Sequence, residues 1–314
     1  MKRSSFLKTS ASVLAGSSLV PSALASTPGL ITPRKQKPLR FAHLTDIHLK
    51  GGIIPETGMA RAFQKAQSLK PSIDFILNGG DSIMDALEAD KEKTRSQWDL
   101  FHNILKNENS SPIYHCIGNH DVWGWFVKEN KPDQDKLYGK AWVLETLELK
   151  SRFYSFSKGK WHFIILDSTQ LNPAGGYIAR LDPEQLDWLQ KELAAVPAGQ
   201  FICIISHIPI LSICSGLFFD KTEQNGDLLI KRNLMHTDFL ALKKIFMQYP
   251  AIKTCISGHI HLQDEVDYLG IRYFCNGAVS GNWWNGAYYE FSPAIALMEL
   301  YDDGTVKRTM MKYD

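Results

Sequence analysis

The chain has 314 residues, 44% of them hydrophobic and 22% charged, with a formal net charge of +2. That balance excludes a disordered chain, and 22 Gly with 14 Pro exclude a collagen-like one. No apolar run reaches about 18 residues, so no transmembrane helix is expected, and +2 gives no electrostatic reason to expect nucleic acid as the partner.

Lys2, Arg3 and Lys8 precede a weakly apolar stretch over 11–24, and Ala23-Leu24-Ala25 offers a small-x-small cleavage site. That order is the pattern of an export signal. Residues 1–25 are therefore expected to be a signal peptide, 26–38 a tether and 39–314 one folded domain of a periplasmic or secreted protein. Arg3-Ser4-Ser5-Phe6-Leu7-Lys8 resembles a twin-arginine signal with Ser4 in place of the second arginine, so Sec and twin-arginine export both stay open. Cleavage after Ala25 removes three positive charges and no negative ones, which turns +2 into −1. The first cysteine is Cys116, so no lipid-modified cysteine follows the signal and no membrane anchor is expected.

Strands and helices then alternate. Short apolar runs predict strands over 41–45, 73–77, 113–117, 163–166, 201–205 and 254–257. Between them, Met59, Phe63 and Ala66 fall at helical spacing, as do Trp98, Phe101 and Leu105, and Phe239, Leu242 and Phe246. Asp182-Pro183-Glu184-Gln185 reads as a helix start with an N-cap, Pro at the first helical position and Gln at the capping-box position. Buried strands alternating with amphipathic helices imply a layered α/β core. Runs over 266–269, 271–275, 294–301 and 306–311 predict antiparallel strands that close the sheet system. The five cysteines, odd in number and without tight spacing, read as mostly buried thiols, with one cross-strand disulfide left open.

Chemistry gathers at the carboxyl ends of strands in such folds. Five strand-like runs end in Asp46-Ile47-His48, Gly79-Gly80-Asp81, Gly118-Asn119-His120-Asp121, Ser206-His207 and Gly258-His259-Ile260-His261. Each alone is an ordinary turn. Together they hold five of the ten histidines, beside carboxylates and an amide that suit borderline metal ions. Four other signatures, G-x-S-x-G, H-E-x-x-H, C-x-x-C and G-x-G-x-x-G, are absent.

The ordered set Asp-x-His, Gly-Asp, Gly-Asn-His-Asp, His and Gly-His-x-His over 46–261 resembles the calcineurin-like metallophosphoesterase superfamily. The resemblance implies a four-layer α/β/β/α sandwich of two mixed sheets flanked by helices. It implies two metal ions drawn from Fe, Mn, Zn or Co. Asp46, His48 and His261 would hold one; Asn119, His207 and His259 would hold the other; Asp81 would bridge them. A hydroxide between the ions would attack phosphorus in line. His120 would serve as general acid or electrostatic partner of the phosphate. Asp121 is either a support for that group or a plain turn residue. Met84 stands where purple acid phosphatases carry Tyr, and the Arg of the protein-phosphatase motif is missing. The pattern is closer to the cyclic-nucleotide and glycerophosphodiesterase branch.

The expected partner is thus a small-molecule phosphoester, with a diester ahead of a monoester. A monoesterase needs an extra cation, for which Arg180, Arg232 and Lys221 are sources. A non-catalytic metal-binding module on the same fold would have lost ligands, yet all seven ligand positions and His120 are present. Trp123, Trp125, Phe126, Trp283 and Trp284 are open to two readings: a wall for an organic leaving group, or packing at the sandwich edge. The segment 212–232, with Phe218 and Phe219, is read as a lid or an oligomer contact. His43, His102, His115, His162 and His236 are expected to lie outside the site.

Overall fold

In the computed structural model, residues 37–127, 132–217 and 222–313 are described. The signal, nearly all of the tether, Phe218, Phe219 and Lys221 lie outside them. The elements are β1 (Leu39–Leu44), α1 (Ile53–Ser68), β2 (Phe75–Asn78), α2 (Lys91–Glu108), β3 (Ile113–His115), α3 (Ala141–Thr146), β4 (Tyr154–Lys158), β5 (Trp161–Leu166), β6 (Thr169–Leu171), β7 (Tyr177–Ala179), α4 (Pro183–Ala195), β8 (Phe201–Ser206), α5 (Cys214–Leu217), α6 (Phe239–Phe246), β9 (Ile252–Ser257), β10 (Gln263–Tyr268), β11 (Ile271–Asn276), β12 (Ile295–Leu300) and β13 (Val306–Met311).

Two mixed sheets form. The first has the order β13-β12-β1-β2-β3 and the second β10-β11-β9-β8-β5-β4. β1, β2 and β3 run parallel, as do β5, β8, β9 and β11. The C-terminal strands are antiparallel in two pairs, as expected, but the pairs part company: β10 and β11 extend the second sheet, while β12 and β13 edge the first beside β1.

The sheets face each other across a dry aromatic layer. Phe41 stacks on Phe75 at 4.8 Å between centroids, and Phe163 meets Phe41 at 5.7 Å, Phe75 at 5.4 Å and Phe156 at 4.9 Å. The outer face of the first sheet buries Ala42, Leu44 and Ile76 under Met59, Phe63, Trp98 and Phe101 of α1 and α2. The outer face of the second buries Ile164, Ile202 and Ile204 under Leu189 and Leu193 of α4 and Leu242 and Phe246 of α6. Strands buried on both faces explain the unbroken apolar runs, and the result is the four-layer α/β/β/α sandwich.

Asp182 caps α4 by accepting from the Gln185 N–H at 3.0 Å. The Gln185 amide is not used as a capping box. It pairs instead with both backbone groups of Asp167 just after β5, at 2.8 and 2.9 Å, which satisfies the buried backbone at that strand end. All five cysteines are free and buried, so no cross-strand disulfide forms. Among the described residues no helix is long and apolar enough to cross a membrane.

Phe163→Ala removes the ring shared by both sheets and is expected to cost about 3–5 kcal/mol. Urea unfolding followed by tryptophan fluorescence measures it, and a loss below about 1 kcal/mol would show that the inter-sheet layer is not the main core.

Candidate metal centre

The five predicted turns converge. Asp46 and His48 follow β1, Asp81 follows β2, and Asn119, His120 and Asp121 follow β3. His207 follows β8, and His259 and His261 follow β9. The site therefore sits where the parallel ends of both sheets meet. Backbone bonds lock the turns together: Asp46 N to Gly80 O at 3.0 Å, His48 N to Asp81 O at 2.9 Å, and Gly258 N to His207 O at 3.0 Å.

The turns share an unusual backbone. Asp46 (φ 54°), His48 (47°), Asp81 (52°), His259 (74°) and His261 (58°) all lie in the left-handed region. They make up half of the ten non-glycine residues with positive φ among those described. Each costs about 1–3 kcal/mol, a strain that persists only where surroundings impose it and that concentrates at functional sites. Two glycines make the close approach feasible. A Cβ on Gly118 would lie 2.1 Å from Asp81 Oδ1, and one on Gly258 would lie 2.2 Å from Asp46 Oδ2.

Two clusters of ligand atoms result. Asp46, His48 and His261 form one, and Asp81, His207 and His259 form the other. In the first, His48 Nε2 lies 3.0 Å from His261 Nε2, and Asp46 Oδ1 is 3.5 Å from His261 Nε2. In the second, His207 Nε2 is 3.2 Å from Asp81 Oδ2, 3.2 Å from Asn119 Oδ1 and 3.3 Å from His259 Nδ1. Asp81 Oδ2 also reaches to within 3.6 Å of His48 Nε2, so this carboxylate stands between the clusters. His120 is close enough to Asp81 and His48 to complete a third grouping on the open side.

Backbone carbonyls set the tautomers. A carbonyl only accepts, so His207 Nδ1 donates to Gly79 O (2.9 Å), His259 Nε2 to Asn233 O (2.8 Å) and His261 Nδ1 to Gly281 O (2.5 Å). In each ring the opposite nitrogen is left facing its cluster, the arrangement metal-binding imidazoles need. Thr45 Oγ1 donates to Asp46 Oδ2 at 2.6 Å, and His259 N donates to the same oxygen at 2.9 Å.

The charges are consistent with a cation site. Burial alone would raise the Asp81 carboxyl, but His207 and His120 outweigh it and hold it well below the usual carboxylate range. Burial lowers His207 too, yet Asp81 and then Asp46 push it up to about 9. His259 falls to about 3, through burial and then repulsion from His207. His207 Nε2 thus faces Asp81, Asn119 and His259, a set of groups that favours positive charge between them. Carboxylate, imidazole and amide oxygen in this proportion fit Fe, Mn, Zn or Co.

Asp121 is fully buried, with Oδ1 accepting from Ser82 N at 2.8 Å and Oδ2 from Gly118 N at 2.9 Å. It clamps the turn after β2 to the turn after β3. The sequence reading missed Asp85, whose Oδ1 lies 3.6 Å from His120 Nδ1 as an ion pair. It also missed the positions of Tyr177 and Asn233 beside His259. The aromatic candidates separate. Trp123 is core, edge-on to Trp142 at 5.3 Å, and Trp125 lies under Lys140 at 5.5 Å. Trp283 covers His261 at 4.4 Å, and Trp284 Nε1 donates to His48 O at 2.9 Å. Of the cationic candidates, Arg180 is exposed and Arg232 Nη2 donates to Gly175 O at 2.8 Å. His162 pairs with Glu192 and His236 with Asp238, both at 2.9 Å.

A family model described as calcineurin-like phosphoesterase matches residues 39–263. The chain is 28% identical over 282 residues to a 3′,5′-cyclic-nucleotide phosphodiesterase of Nostoc sp., covering 85% of this chain and 90% of that protein. It is 23% identical over 151 residues to the 3′,5′-cyclic adenosine monophosphate phosphodiesterase CpdA of Escherichia coli, covering 47% of this chain and 49% of that one. A solved dimetal phosphatase from Danio rerio superposes with a TM-score of 0.58 at 14% identity, over 88% of this chain and 100% of that one, a likeness of fold.

Binding of Zn2+ or Mn2+ at pH 7 is expected to release about one proton from His207, so affinity rises with pH up to about 9 and levels off above it. Calorimetry in buffers of different ionisation enthalpy counts that proton, and His207→Asn should abolish the release. Gly258→Ala should displace Asp46 and lower bound metal per chain, read by elemental analysis.

Proposed function

The chain belongs to the calcineurin-like phosphoesterase family and is a metal-dependent phosphoester hydrolase, and on that premise we propose that it is an exported, dinuclear-metal phosphodiesterase acting on small cyclic or linear diesters. The observation that carries this reading is the pair of ligand clusters, with Asp81 of the second reaching to within 3.6 Å of His48 Nε2 in the first. Asp46, His48 and His261 would hold one ion, Asn119, His207 and His259 the other, and Asp81 both. Cations bound there would supply an activated water and charge neutralisation at the phosphoryl oxygens. Diester and water become monoester and alcohol.

The protein's own contribution begins with His120. Burial disfavours its protonation, but Asp81 and Asp85 outweigh burial and raise its pKa. That shift favours the protonated ring, the form that can deliver a proton to the leaving alkoxide. Gln97 holds Asp85 beside His120, since the Asp85 N–H donates to Gln97 Oε1 at 3.2 Å and the Asp85 carbonyl accepts from Gln97 Nε2 at 3.3 Å. Trp283 over His261 and Trp284 on His48 O shield the first cluster from water. The diester preference is supported by the named activity of the Nostoc and Escherichia coli relatives. Export rests on Lys2, Arg3, Lys8 and the Ala23-Leu24-Ala25 site.

Bis(p-nitrophenyl) phosphate should be hydrolysed, chelation should stop the reaction, and added metal should restore it. Asp81→Ala or Asn119→Ala should lower kcat by at least about 100-fold; wild-type rates in both variants would overturn the assignment. Protonated His120 is the active form, so the rate falls as pH rises through its pKa. Asp85→Asn removes a stabilising anion and should move that alkaline limb to lower pH in a pH–rate profile.

A further inference from the structure

A cavity of about 350 Å³ lies between α1 and the loop that follows β11. Ile53, Ile54, Thr57, Gly58 and Arg61 line it at helical spacing, from a face of α1 other than the one that Met59, Phe63 and Ala66 turn to the first sheet. Trp284, Pro293 and Tyr313 close the other side. Trp284 is held at both ends. Its ring rests on Gly58, where a Cβ would lie 2.0 Å from Cζ3, which accounts for a glycine that a helix interior otherwise disfavours. Its Nε1 donates to His48 O at 2.9 Å, and its backbone N–H donates to Ser280 O at 2.8 Å. Ser280 Oγ in turn donates to Asp46 O at 2.8 Å. The cavity wall and the first ligand cluster therefore share their supports.

The geometry points to a binding site for a small anionic amphiphile: an apolar body of the fatty-carboxylate kind fills this cavity, and its anionic head meets Arg61. The polar atoms of the walls are already committed. Ser280 Oγ and Trp284 Nε1 hold the Asp46 and His48 carbonyls, and the Tyr313 hydroxyl donates to Val279 O. What the cavity offers an occupant is hydrocarbon and aromatic surface. A sugar would leave its hydroxyls against those walls without partners, at a cost that an alkyl chain does not meet. Ile53 and Ile54 are 86% and 66% exposed, apolar surface that such a chain would take out of water. Arg61 is the charged residue of the lining, is exposed, and makes no ion pair or side-chain hydrogen bond among the described residues. It selects an anion over a neutral hydrocarbon. The volume stands at the lower end of the roughly 300–1,000 Å³ of small-molecule sites, which suits one chain and not a folded partner. The site owes nothing to the phosphodiesterase reading, since none of its walls is a metal-ligand position or His120.

Decanoate and decan-1-ol share a chain and differ in charge, and serve as probes. Calorimetric titration of the full chain with decanoate below its micellar concentration should show one saturable site. Arg61→Gln should raise the decanoate Kd about two- to fivefold, the scale of an exposed ion pair, and leave the decanol Kd unchanged. Thr57→Phe fills the cavity from an exposed helix position and should abolish binding of both probes. Ile54→Ser, also at an exposed position, should weaken both alike. Near-ultraviolet circular dichroism matching the wild type shows that a lost signal is not a folding defect. No saturable decanoate binding to the wild type, equal effects of Arg61→Gln on the two probes, or binding unchanged in Thr57→Phe and Ile54→Ser would overturn the site. Co-sedimentation with phosphatidylglycerol vesicles in the absence of decanoate binding would assign Ile53 and Ile54 to a membrane surface and overturn it as well.

Discussion

Two carboxylates, Asp46 and Asp81, lie almost wholly out of water where the two sheets meet. An ionised carboxylate moved there costs several kcal/mol unless it is paired and hydrogen-bonded. The compensation comes from distant parts of the chain. Asp46 takes hydrogen bonds from Thr45 and from the His259 backbone; Asp81 takes one from the His120 backbone at 2.7 Å and an ion pair from His207. β1, β2, β3, β8 and β9 must all end in register for those partners to arrive. Neither sheet alone could hold the pair ionised.

That requirement explains the costly backbone. A strand that ended in ordinary extended or helical geometry would carry its side chain past the meeting line. A left-handed residue two to four positions past the strand end turns the chain sharply there. Five residues of the clusters adopt it without being glycine. Gly118 and Gly258 then bring neighbouring turns closer than any Cβ allows. The Asp121 carboxyl, pushed up to about 6 by burial and by Asp81, ties the turns after β2 and β3 through Ser82 N and Gly118 N.

Much of this was legible in the chain. Apolar runs ending in Asp, His and Asn are local features, and both the layers and the convergence follow from strands that run parallel. What stayed hidden depends on partners far away in sequence. Asp85 is one loop aspartate among many until the fold sets it 3.6 Å from His120. Trp123 and Trp283 are indistinguishable as letters, yet one is core and the other roofs His261. The C-terminal strands were recognisable as strands, but their division between two sheets was not, because it is decided by which edge is open and not by their own pattern. Gln185 fitted a capping box, and the buried backbone of Asp167 claimed it instead.

The couplings that matter most for specificity run through atoms that carry no sequence signal. His259 is oriented by the carbonyl of Asn233, and the same segment lines a cavity beside the second cluster with Ile230 and Arg232. His261 is oriented by the carbonyl of Gly281, whose loop carries Trp283 and Trp284. Two loops beside the clusters thus carry backbone carbonyls that set the tautomers of cluster histidines. The side chains on those loops can change while the carbonyl stays. A shift of the loop itself cannot be isolated in that way, since it would rotate an imidazole away from Asp46 or Asp81 and undo the charge balance on which the meeting of the sheets depends.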